Sequence, residues 1–181
     1  GAIVPEKHPD VILRAFQRLK AKFATSELRL YGASKNPVNP RYEKTLVADA
    51  GRLPGVTVLP YQHDWMRQLG SRDLFIHLGY PESFGMAMLE AFACGHLLVV
   101  PPISFFDNMQ QSAGHLAGVE RLSEISIESV ANAVENLWSS STDPEQLWRS
   151  RCSWTNRFGA PAAIDRMHSL YRRLAACKPP V

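Results

Sequence analysis

Two short apolar runs, Leu74-Phe75-Ile76-His77-Leu78 and Leu97-Leu98-Val99-Val100, constrain this chain more than anything else in it. Neither alternates cleanly between apolar and polar positions, so a strand built from either is covered on both faces. Between them, Gly79 to Ser83 reads as a loop and Phe84 to Cys94 as a helix. A covered strand, a helix and a second covered strand form a crossover unit, which makes the two strands parallel. The expectation is an α/β fold with a mostly parallel sheet and helices on both of its faces.

The rest of the chain repeats that rhythm. From Pro9 to Lys22, Val11, Ile12, Ala15, Phe16 and Leu19 share one helical face, with Pro9 in the first turn and Asp10 complementing the dipole. Leu28 to Tyr31 alternates as a strand and stops at Gly32, and Asn36-Pro37-Val38-Asn39-Pro40 is dense in turn formers. A helix from about Arg41 to Leu53 leads through Pro54-Gly55 into the strand Val56 to Leu59, and Asp64 can cap a short helix after it. Later helices are expected near Ser126 to Trp138, from Pro144 toward Arg151, and from about Pro161 to Ala176. The last of these is expected to bury Ile164, Met167, Tyr171 and Leu174. The stretch from Ile103 to Ser123 shows no sustained period. With 181 residues, 45% of them hydrophobic, and no interior linker, residues 1–181 suffice for a single domain with one real core.

Several kinds of function are excluded. The net charge of +3 is small and the basic residues are dispersed, so no nucleic acid partner is expected. Arg166, Arg172, Arg173 and Lys178 gather only at the end of the last helix, where cations suit its dipole. No apolar run approaches the roughly 18 residues that a membrane-spanning helix needs. The three cysteines are odd in number, far apart and without a C-x-x-C pair, which fits a reducing, cytoplasmic setting. The chain opens on Gly1 with no leader pattern and reads as a piece of something longer. No G-x-G fingerprint, Walker A run, H-E-x-x-H, G-x-S-x-G or D-x-D is present, and the six histidines lack ligand spacing. No cofactor and no metal site is therefore expected.

What remains is the segment Pro81 to Gly95 between the two covered strands. Glu82 falls in the loop at the carboxyl end of a strand, where open parallel sheets bind ligands. Glu90 falls about six residues into the following helix, roughly 8 Å along its axis. Between them the N–H groups near Phe84, Gly85 and Met86 are expected to be free for an anion at the positive end of the helix dipole, and Gly85 lets a ligand approach the backbone closely. A carboxylate, an anion cradle and a second carboxylate match a ligand with hydroxyls at both ends and phosphate in the middle. A nucleoside diphosphate sugar has that layout. The spacing alone is also compatible with Glu82 favouring the helix N-terminus and Glu90 sitting on a solvated face.

The block Asp73 to Gly95, ending in Glu90-Ala91-Phe92-Ala93-Cys94-Gly95, joins an opening Gly1 to Lys7 and strands at Leu28 to Gly32 and Val56 to Tyr61. Together with Trp154 and Tyr171 in the closing helices, these resemble the C-terminal, donor-binding half of the retaining GT-B glycosyltransferases of family 4, the "glycosyl transferases group 1" type. The resemblance implies a Rossmann-like domain that binds a nucleoside diphosphate sugar without a metal and transfers the sugar to a glycan or lipid-linked acceptor. It implies that Glu90 holds the ribose hydroxyls, that Glu82 meets a hydroxyl of the donor sugar, and that Ser83 and the Phe84-Gly85-Met86 backbone serve sugar and phosphate. It also implies that Lys7 neutralises the diphosphate leaving group, and it places Tyr61 and Gln62 near the base. The acceptor half lies outside this chain, and any peripheral membrane association would run through that half.

The resemblance has gaps. Ala2 stands where the family usually carries arginine, Gly95-His96-Leu97 replaces G-x-P, Ser83 replaces glycine, and Pro101 to Asn108 lacks a G-G. His77 and His96 are expected to be packed rather than functional, since neither has an evident partner. Two other readings stay open: a non-catalytic sugar-nucleotide binding module, for which Ala2 speaks, and another GT-B enzyme such as a phosphorylase or a UDP-sugar epimerase.

Overall fold

The computed structural model describes the chain except residues 1, 63–64, 69–72, 83–84, 105–106, 108–110, 112–115, 141–142 and 177–181. The cap expected at Asp64 and the basic Lys178 lie outside the described residues, as do the side chains of Tyr171 and Leu174.

Helix α1, Pro9–Leu19, starts with proline in its first turn and buries Ile12, Leu13, Ala15, Phe16 and Leu19. It stops short of the expected Lys22 because Lys20 turns its Nζ onto the carbonyls of Ala24 at 2.5 Å and Ser26 at 2.7 Å, folding the chain toward the next strand. Strands β1, Leu28–Ala33, and β2, Val56–Pro60, pair in parallel with Leu30 opposite Val58. Between them runs α2, Pro40–Ala50, capped by Asn39, whose Oδ1 accepts from Tyr42 N–H at 3.2 Å. The buried carboxylate of Glu43 on α2 accepts from Ser34 N–H at 2.9 Å and so holds the loop that leaves β1.

Strands β3, Leu74–Ile76, β4, Leu97–Val100, and β5, Val119–Arg121, form a second parallel group in the order β3-β4-β5. The expected parallel sheet is therefore present as two hydrogen-bonded groups among the described residues. β5 occupies the stretch that shows no period in the sequence, since three residues with glutamate at the centre are too few to display one. Helix α3, Met86–Ala93, crosses from β3 to β4. It begins two residues later than Phe84 because Gly85 is left-handed, with φ 66°.

The covered character of β4 is explicit in its neighbours. Val99 belongs to a core built with α1, β1 and α4, Ile127–Ser139, whereas Leu98 and Val100 belong to a second core with Met88, Leu89, Ala91 and Phe92 of α3 and Trp154. Helices thus flank β4 on both faces. Trp154 lies on α5, Pro144–Phe158, which runs past the expected Arg151 because Trp154 and Phe158, one turn apart, stack with centroids 5.6 Å apart. The last helix, α6, is Ala160–Ala176. Its apolar stripe is not buried as the sequence suggests: Ile164, Met167 and Leu170 are 51%, 53% and 46% exposed. Periodicity specifies which face is apolar, not whether anything covers it.

These burials set a contrast. Replacing Leu98, which is 1% exposed, by alanine leaves a cavity between β4 and α3 and is expected to cost about 2–5 kcal/mol. Ile164→Ser on the open stripe should stay within about 0.5 kcal/mol. Urea unfolding midpoints of the two variants test this, and a large loss at Ile164 would show that its stripe is covered.

Candidate functional site

Within each strand group the pairings are parallel, so the strands of a group share a carboxyl edge, and the candidate site lies at that of β3-β4-β5. The first element to reach that edge is a single 3-10 turn, Pro5–Lys7, closed by Lys7 N–H on the Val4 carbonyl at 3.1 Å. The turn is pinned there because the Glu6 carbonyl accepts from Tyr80 N–H, at 3.0 Å, in the loop after β3. Lys7 is half-buried, and its ammonium has no partner among the described residues.

His77 follows β3 directly, its N–H continuing the ladder to the Val99 carbonyl at 3.0 Å. Strand parity puts its ring on the same face as Phe75. The two rings lie 6.5 Å apart and nearly parallel, and Trp65 stacks on Phe75 at 5.0 Å. The imidazole Nε2 sits 3.2 Å from Glu82 Oε2. Burial lowers the pKa of His77 from its ordinary value; the Glu82 carboxylate opposes that shift and the Lys7 ammonium adds to it. The ring therefore touches Glu82 and lies within electrostatic reach of Lys7. His77 is not merely packed, as the sequence suggests, because the loop folds Glu82 back onto it.

The other oxygen of Glu82 accepts from Gly85 N–H at 3.0 Å. This corrects the expectation of a free cradle: at Gly85 the N–H is taken by the chain's own carboxylate. Ser83 and Phe84 lie outside the described residues. Gly85 is required where it stands, since its left-handed backbone disfavours side chains and a Cβ there would come within 2.0 Å of Met88 Cε. Met86 opens α3 with its side chain exposed, and its N–H is among those that a helix start leaves without an intrahelical partner. Glu90, one turn further along α3, is half-buried and its carboxylate has no partner among the described residues.

Tyr61 and Gln62 follow β2. Tyr61 N–H donates to the Ala33 carbonyl at 3.2 Å, which ties it to the carboxyl end of the β1–β2 pair, and Gln62 Oε1 accepts from Gln68 Nε2. Tyr61 keeps an exposed ring. His96 is packed, as expected: it is 3% exposed, and burial lowers its pKa against the opposing influence of Asp73. No group of three or more His, Cys, Asp or Glu side chains able to hold a metal ion occurs among the described residues. No helix among them is long and apolar enough to cross a membrane. The carboxyl edge thus offers one cation, a clamped carboxylate, a helix start and a second, open carboxylate.

The family model described as "Glycosyl transferases group 1" matches residues 1–147. A D-inositol 3-phosphate glycosyltransferase of Stackebrandtia nassauensis is 36% identical over 111 residues, which cover 57% of this chain and 25% of that protein. The corresponding protein of Rhodococcus opacus is 38% identical over 101 residues, covering 52% of this chain and 23% of that protein. A glycosyltransferase of Rickettsia africae superposes with a TM-score of 0.80 at 17% identity, over 98% of this chain and 47% of that one. The Anabaena protein HepE, solved in complex with UDP and glucose, superposes with a TM-score of 0.72, also at 17% identity and over 98% and 47% of the two chains. Likeness at that identity shows the fold. The chain spans about half the length of these solved structures and matches about a quarter of the curated relatives.

The two lowered histidines give a stability prediction. His77 and His96 both titrate below 6.5 when folded, so between 6.5 and their folded values the unfolded chain binds more protons than the folded one. Stability should fall as pH drops through that window and level off beneath it. Urea midpoints across a pH series should show a shallower fall in His77→Gln and in His96→Gln than in the parent. Identical slopes would show that neither ring is held neutral by the fold.

Proposed function

The chain belongs to the glycosyl transferases group 1 family, and on that premise we propose that it is the donor-binding half of a retaining, metal-independent glycosyltransferase. It holds a nucleoside diphosphate sugar whose sugar passes to a glycan or lipid-linked acceptor carried by another part of the protein. The observation that carries this reading is Glu82 held by His77 and Gly85 beyond β3, with the Lys7 turn fastened to the same loop and Glu90 on the helix that starts beside it.

Each group then has a task. Lys7, a cation without an ion-pair partner among the described residues, suits charge that builds on a departing diphosphate, a form of electrostatic assistance that no metal need supply. Glu82 accepts a hydroxyl of the donor sugar, and Glu90 accepts the ribose hydroxyls. The Met86 N–H at the start of α3 serves the phosphates, and Tyr61 and Gln62 border the base. UDP and glucose in the HepE structure support a ligand of this class. Ala2, where the resemblance expects arginine, favours a second reading in which the domain binds a sugar nucleotide without transferring it. Turnover by the full-length protein separates the two.

Calorimetry with UDP, GDP and ADP and their sugar conjugates tests the proposal. One of these pairs should bind, and Glu90→Ala should weaken it roughly ten- to a hundredfold, as expected for a charge-assisted hydrogen bond of about 1.5–3 kcal/mol. An unchanged dissociation constant would overturn the ribose assignment. EDTA should leave the affinity unaltered. A loss on chelation that magnesium or manganese restores would overturn metal independence.

A further inference from the structure

Glu82 is held at both oxygens, and one of the holders is a side chain with no assigned role. Its Oε1 accepts from the Gly85 backbone at 3.0 Å, and its Oε2 faces His77 Nε2 at 3.2 Å. We propose that His77 is the positioning residue for Glu82, donating Nε2–H to Oε2 and fixing the carboxylate so that its remaining lone pairs meet a hydroxyl of the donor sugar. This rests on the reading of Glu82 given above. An ionised carboxylate offers about four acceptor sites, more than the His77 and Gly85 bonds by themselves take up.

Three features build the imidazole into place. Its backbone N–H is locked to Val99 on the buried strand β4, so the residue cannot slide along the edge. Its ring lies 17° from the plane of Phe75, which also stacks with Trp65, so three rings adjoin. The space beside Nε2 exists because residue 79 is glycine: a Cβ there would come within 2.7 Å of Nε2 and 3.3 Å of Cε1. A residue that merely filled the interior would not need its polar nitrogen cleared in this way.

The tautomer follows from the partners. Burial and the nearby Lys7 ammonium both disfavour a charged ring. A neutral imidazole carries its proton on one nitrogen only, and a lone pair turned toward a carboxylate would repel it, so the proton belongs on Nε2. His77 then orients Glu82 without competing with Lys7 for the negative charge of a diphosphate.

The test uses the full-length protein and separates sugar from nucleotide. His77→Phe keeps an aromatic ring and removes the donor, His77→Gln restores a donor, and Gly79→Ala leaves the imidazole in the chain but pushes it from Glu82. For the nucleoside diphosphate that the parent binds, with and without its sugar, calorimetry should show His77→Phe and Gly79→Ala weakening the sugar conjugate about tenfold. The bare diphosphate should shift by less than about twofold, and His77→Gln should recover most of the loss. Equal losses on both ligands, or none on the conjugate, would overturn the positioning role. Nitrogen-15 spectra of the unliganded parent give a readout that needs no donor: the Nε2-protonated tautomer is expected, and the Nδ1-protonated form would overturn the proposal. Absence of any nucleotide binding by the parent alongside the expected tautomer would instead overturn the donor-binding reading, and with it the sugar-facing role of the clamp.

Discussion

Everything at the carboxyl edge depends on β4 being sealed on both faces. Val99 points into the core that α1 and α4 close, and Leu98 and Val100 point into the core that α3 and Trp154 close. A strand in that position cannot slip by one residue without driving a whole face of side chains into the wrong core. Its register therefore fixes β3 on one side and β5 on the other. It fixes His77 as well, because the backbone N–H of His77 is the next rung of the same ladder.

From that anchor the polar groups are placed by short tethers. Glu82 is five residues from His77 and three from Gly85, and it bonds both. Gly85 in turn leaves room for Met88, a side chain with no exposure at all, where a Cβ would collide with it. The loop that carries the acidic group is thus wedged between a strand end and a packed helix, and the carboxylate comes preoriented rather than searching for its partner. Preorganisation of this sort lowers the ordering cost that a ligand would otherwise meet.

Much of this is legible in the residues and some is not. Runs such as Leu97 to Val100 announce a doubly covered strand because nothing in them could face water, and the glycine and proline punctuation around them marks the crossover. β5 escapes notice since Val119-Glu120-Arg121 has the composition of a surface turn; only the ladder to Leu98 and Val99 makes it a strand. The stripe of α6 is misjudged because amphipathicity is a local property and coverage is a tertiary one. At the site, Glu82, Glu90 and Lys7 stand out by position, while His77 does not. Its partner sits five residues on, and the meeting depends on how the loop folds back and on the clearance that Gly79 leaves, which are tertiary properties. The occupied N–H of Gly85 was likewise beyond reach, since sequence shows which groups a helix start offers but not which side chain claims them first.

The turn that presents Lys7 is fastened through the carbonyl of Glu6 and the amide of Tyr80. That bond is main chain to main chain, and the side chains at both positions are exposed. Natural variation can therefore rewrite residues 6 and 80 almost freely while Lys7 stays in register, proline at 80 being the exception because it has no amide hydrogen to give. Two positions that hold the site together thus leave almost no trace of doing so in the amino-acid alphabet.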